Sequence, residues 1–237
     1  MRLLVCSWSN YDPTTDATRF VSDILPKATR MRAHDTFIRA FQPRFLTGSP
    51  SQAWRLCLEI EQSELPRECI PPFYYWITAR AESILYRFAS ESLFETAQSG
   101  FTDVSSPELA SWIRETCAAE DKVWSDVVNI KVARAMLAAL RDFGILEGTS
   151  RKRIASYHLP LESFCLIAFC LREVLQQAGE MTQNHDWRLF LFSPTVVDRL
   201  LLEAHQQGWL DYQSAGGISR IEFPAATFEA YVKHLQS

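Results

Sequence analysis

Residues 140–160 read LRDFGILEGTSRKRIASYHLP, and this stretch decides how the chain is organised. An apolar helical run ends at Gly144, the residue best suited to a left-handed helix stop. Two apolar residues follow, then a polar turn carrying Arg151, Lys152 and Arg153 in a row. The alternating segment IASYHL closes at Pro160. A helix over 127–143, a glycine, a short strand, a turn and a second strand are together the closing half of a winged helix.

A shift of 64 residues brings out a second copy. Val132, Leu137, Gly144, Leu146, Ser150, Ile154, Pro160 and Phe164 align without gaps with Val196, Leu201, Gly208, Leu210, Ser214, Ile218, Pro224 and Phe228. The shared positions are a helix stop, strand apolars and a closing proline, so the agreement points to tandem units. SRKR in the first turn becomes SAGG in the second.

Upstream, helical periodicity dominates. Expected helices cover 17–25, 33–46 and a long span over 71–93. In the second of these Phe37, Phe41 and Phe45 recur every fourth residue, and Pro43 is a potential kink. SPSQ at 49–52 and SSPELAS at 105–111 read as serine caps followed by proline at the first helical position. A boundary falls near 99–106, in QSGFTDVSS. The fold expected is mainly α: a helical N-terminal domain (1–100), then two tandem winged-helix-like units (101–160 and 161–237) with short β-hairpin wings.

The chain has 237 residues, is 47% hydrophobic and carries a net charge of −4. It can bury a real core, and its acidity argues against indiscriminate coating of nucleic acid. The cations are nevertheless concentrated. Between Lys131 and Arg153 six cations face two acids, a local +4. Arg134, Arg151 and Lys152 lie within that span. Lys27, Arg30, Arg32, Arg39, Arg44 and Arg55 face only Asp35, a local +5. The rest of the chain therefore carries −13. On the helix before the first turn, Val128, Val132, Met136 and Leu140 form an apolar stripe, and Lys131, Arg134, Ala138 and Arg141 fall on another face. Such a cationic surface suits phosphate contact, through counterion release and the planar guanidinium fork. The nucleic-acid-binding residues expected are Arg30, Arg32, Arg39, Arg44, Lys131, Arg134, Arg151, Lys152 and Arg153. Residues 161–237 hold nine acids and five cations, so the second unit is expected to pack or to meet a protein.

Signals for catalysis are weak. Ile70-Pro71-Pro72-Phe73 has the outline of an amino-methyltransferase motif, but Ile70 cannot accept from a target amine. Glu120-x-Lys122 is half of a nuclease metal motif in a helical setting. No phosphate-binding loop occurs, and the five histidines show no metal or nucleophile pairing. Phe73 to Trp76 read as core. Six scattered cysteines have no zinc spacing and imply a reducing compartment. FCLIAFCL at 164–171 is too short to span a bilayer. The reading is a cytoplasmic, non-enzymatic protein with no cofactor, no metal, no membrane and no small-molecule substrate.

Several features in order resemble the BrxA family, small accessory proteins of BREX phage-defence systems. They are RMRAHDTFIRAFQPRFL, LYRFASESLFE, a helix ending LRDFGIL, and the terminal WRLFLFSP…GWLDYQSAGGISRIEFP. The resemblance implies a mostly helical, non-catalytic protein that binds double-stranded DNA alongside other BREX components. It maps the family's Tyr-Arg-Phe segment onto Tyr86, Arg87 and Phe88, and its basic early helix onto Arg39 and Arg44. Where the helix before the first turn begins, the family leads one to expect Ser/Thr and basic residues. This chain has Asp126, Asn129 and Lys131, which points to backbone contacts of low sequence specificity. The competing expectation is a protein adaptor that uses its winged-helix surfaces and has no functional DNA contact.

Overall fold

The computed structural model describes residues 1–11, 16–25, 29–173, 175, 180–215 and 218–237. Helices run in the order α1 (Arg2–Trp8), α2 (Ala17–Ile24), α3 (Arg30–Thr36), a π-helical segment (Phe37–Leu46) and α4 (Ala53–Gln62). Then come α5 (Ile70–Ala81), α6 (Ser83–Arg87), a second π-helical segment (Phe88–Leu93) and α7 (Phe94–Gln98). Strand β1 (Asp103–Val104) leads into α8 (Ser106–Ala118), α9 (Asp126–Asp142), β2 (Leu146–Glu147) and β3 (Lys152–Ile154). The chain closes with α10 (Leu161–Leu171), α11 (Glu180–Gln183), α12 (Pro194–Gln206), β4 (Asp211–Ala215), β5 (Ile218–Glu222) and α13 (Phe228–His234). The protein is mainly helical with small antiparallel strand pairs.

The backbone packs into two compact units. One comprises Met1–Glu82, Pro160–Asn184 and Pro194–Ser237; the other comprises Ser83–Leu159 and His185–Ser193. The first is built on α5 and α10, whose runs IPPFYYWITA and SFCLIAF are buried nearly all round. A helix apolar on every face must be covered on every face, and α4, α12 and α13 pack around this pair. Phe73 to Trp76 are core, as their helical spacing implied. Ser163 donates its hydroxyl to the Cys69 carbonyl at 3.0 Å, and so bonds α10 to the start of α5. Arg172 lies 3.5 Å from the Phe169 ring centroid and donates to the carbonyls of Ala225 (3.1 Å) and Ala226 (2.8 Å). That holds the segment after β5 against the end of α10.

Three expected helices come out differently. The span over 71–93 breaks at Glu82, whose backbone (φ −115°, ψ 89°) is not helical and whose carboxylate accepts from Arg44 at 3.0 Å. The span over 33–46 becomes a π-helical segment from Phe37 onward. Pro43 has no N–H to donate, and a widened turn relieves the clash of its ring with the preceding carbonyl. Phe37, Phe41 and Phe45 still stack in sequence, at 6.1 and 5.6 Å between centroids. Ser49 is not a cap. Helix α4 starts at Ala53 after a left-handed Gln52, while Ser49 accepts twice from Arg80. The second signal holds: Ser105 accepts from the Glu108 N–H, and Glu108 in turn accepts from the Ser105 hydroxyl at 2.6 Å.

In the second unit, β1, β3 and β2 form an antiparallel sheet in that order. Asp103 lies opposite Arg153, and Leu146 opposite Ile154. Strand β1 comes from the segment expected to be a boundary. Helices α8 and α9 fill the connection between β1 and β2 and pack on each other. The 64-residue correspondence is exact at the helix stops and fails in the hairpins. Ile154 pairs with Leu146 across a two-pair ladder, whereas Ile218 pairs with Ala215 at the tip of a five-pair ladder.

Candidate nucleic-acid interface

Helix α9 owes its start to Ser125, whose hydroxyl accepts from the Val128 N–H at 3.4 Å. It buries Asn129, Ala133, Met136, Leu137 and Leu140. The apolar stripe read from sequence is thus rotated: Met136 and Leu140 belong to it, but Val128 is exposed and Val132 only half-buried. At about 100° per residue, Val127, Lys131, Arg134, Ala138 and Arg141 share the face opposite the buried one. Lys131, Arg134 and Arg141 are exposed there. Arg141 donates to the adjacent Asp142 at 2.7 Å. Lys131 and Arg134 form no ion pair with a described residue.

The three adjacent cations of the β2–β3 turn are not equivalent. Arg151 is exposed and forms no ion pair with a described residue. Lys152 donates to the Thr149 carbonyl at 3.1 Å. Arg153 donates to the Asp103 carboxylate at 3.1 Å. Gly148 makes this turn possible: it sits at φ +87°, and a Cβ there would stand 2.1 Å from the Arg151 carbonyl oxygen. A cleft of about 390 Å³ opens between the turn and the start of α8, lined in part by Asp103, Ser105, Leu137, Arg151 and Lys152.

Arg30, Arg32, Arg39 and Arg44 belong to the other compact unit. Arg30 and Arg32 are exposed at the start of α3 and form no ion pair with a described residue. Arg39 pairs with Asp35 one turn back at 3.2 Å. Arg44 is only 24% exposed and forks onto Glu82, a bond within the fold. Lys27 lies outside the described residues, as do Gly216 and Gly217 of the second turn.

Tyr86, Arg87 and Phe88 are tied into their own unit. Tyr86 donates to the buried Asp186 at 2.7 Å, and Phe88 packs edge-on against Trp112 at 5.4 Å. Arg87 donates to Glu120 at 2.7 Å. Glu120 also accepts from Lys122 at 2.9 Å, and Lys122 and Arg87 hold its carboxyl below the usual range. Among the described residues no group of three or more His, Cys, Asp or Glu is placed to hold a metal ion, and no helix is long and apolar enough to cross a membrane.

The sequence model of one family, BrxA, matches residues 1–170. The match takes in the first thirty residues and stops before the terminal segment containing α12 and the β4–β5 hairpin. No curated protein and no solved structure matches the chain.

Proposed function

Because this chain belongs to the BrxA family, and hence to the BREX-associated defence proteins, we propose that it is a non-catalytic accessory protein that binds double-stranded DNA. The contacts are mainly to the phosphate backbone. The observation that carries this is the face of α9 opposite its core, with Lys131 and Arg134 free to reach outward, followed directly by Arg151 at the turn. We read β1–α8–α9–β2–β3 as a winged helix, with α9 entering the major groove and the β2–β3 turn lying on the backbone. It acts in the cytoplasm with other BREX components as protein partners, and without cofactor, membrane or small-molecule substrate. Arg30 and Arg32 supply a second basic segment.

The test is fluorescence anisotropy of a labelled duplex at several salt concentrations. Each neutralised phosphate contributes about −0.9 to the log–log slope, so Lys131, Arg134 and Arg151 together predict a slope of about −3 or steeper. Changing all three to Ala removes most of it. No binding even at low salt would defeat the proposal. It would favour an adaptor instead, a reading supported by the exposed Val127 and Val128 in the first turn of α9.

A further inference from the structure

The first turn of α9 exposes two adjacent aliphatic side chains, Val127 at 61% and Val128 at 41%, and Val123, three residues before the helix, is 92% exposed. Single exposed apolar residues need no explanation, but a cluster at one end of a cationic face does. Val127 lies one turn before Lys131 and two before Arg134, on the same face. Val128 flanks Lys131 on the other side. Ala135 and Ala138 come next on this face, whose long side chains are the cations Lys131, Arg134 and Arg141. The acid in this first turn, Asp126, accepts from Arg114 at 3.3 Å, which offsets its repulsion of phosphate.

A surface with valines at its leading end and cations one and two turns behind is complementary to the DNA major groove. Phosphates line the walls, and the C5-methyl of thymine is the apolar group on the floor. In helix-turn-helix docking the first residues of the recognition helix are those that reach base edges. We infer that Val127, supported by Val128, reads thymine C5-methyl groups in the major groove, adding an apolar contact to a binding mode otherwise made through phosphates. The inference rests on the DNA-binding reading above.

Replacing thymine by uracil removes the methyl and leaves every hydrogen-bonding group in place. Burial of one methyl corresponds to about a fourfold change in affinity. Full-length protein should therefore bind a uracil-substituted A·T-rich duplex about fourfold more weakly per contacted methyl, with the salt slope unchanged. Val127→Ala, at an exposed helical position where alanine is well tolerated, should bind both duplexes equally. Salt-dependent binding that is the same for thymine and uracil would overturn the inference and leave the proposed function standing. A thymine preference that persists in both Val127→Ala and Val128→Ala would overturn the assignment to these residues. Absence of binding to either duplex would remove both readings.

Discussion

Arg153 and Asp103 face each other across the β1–β3 ladder and pair at 3.1 Å. A run of three cations that looks uniform in sequence is thereby divided. Arg153 is committed to the neighbouring strand, while Arg151 extends from the turn with no acid partner among the described residues.

That division predicts opposite effects from two substitutions. Arg151→Ala should weaken DNA binding and lower the salt slope by about one. Asp103→Asn should release Arg153 for phosphate and tighten binding at low salt. Anisotropy titrations at matched salt decide the matter, and equal affinities for the two variants would refute this division of roles.

Gly148 and Gly144 should differ in cost when changed to alanine. Gly144 sits at φ +81°, but a Cβ there meets only Tyr157 at an ordinary 3.7 Å. Gly144→Ala should therefore lose about 1–2 kcal/mol from the left-handed backbone alone. At Gly148 the added Cβ also collides with the Arg151 carbonyl, so the turn must rebuild. Thermal unfolding should rank Gly148→Ala as the more damaging change, and DNA affinity should fall with it.

Glu61 makes the stability of the first unit sensitive to acid. Its carboxylate is 6% exposed. It accepts from Arg2 at 2.5 and 2.7 Å and from the Tyr74 hydroxyl at 3.1 Å. Burial by itself would raise the pKa, but the Arg2 and Tyr74 bonds outweigh it and hold the group below its ordinary value. A depressed folded pKa adds stability above the unfolded value, about 4.3 for Glu. That contribution is lost as pH falls through the lower folded value. Chemical denaturation from pH 7 downward should show this loss in the wild type and a flatter profile in Glu61→Gln. Arg2→Ala should cost about 1.5–3 kcal/mol at neutral pH.

Arg172 should not be replaceable by lysine. Its guanidinium stacks on Phe169 and donates to two carbonyls at once, a geometry that needs the planar fork. Arg172→Lys and Arg172→Ala should both lower the melting temperature, with lysine restoring little of the loss.

Much of this architecture is written in short-range chemistry. Gly144 and Gly208 close their helices identically. Each has positive φ, each donates to the carbonyl three residues back, and each following N–H donates to the carbonyl five back. A helix stop depends on residues within one turn, so the 64-residue repeat could be recognised there. The same locality explains why Ser105 reads correctly as a cap, and why the wholly apolar runs of α5 and α10 announce buried helices. Family membership was legible for the same reason, in contiguous motifs.

Pairing between distant segments had no such local signature. Asp103–Val104 is too short to show strand alternation, and becomes a strand only because β3 offers a partner some 50 residues on. The break at Glu82, the bond that occupies Arg44 and the rotation of the α9 core away from Val128 all depend on what packs opposite. Charge can be counted along a chain, but whether a given cation is free is decided by the acid that folding brings beside it. Arg44 and Arg153 were therefore indistinguishable from Arg151 until the tertiary structure supplied Glu82 and Asp103.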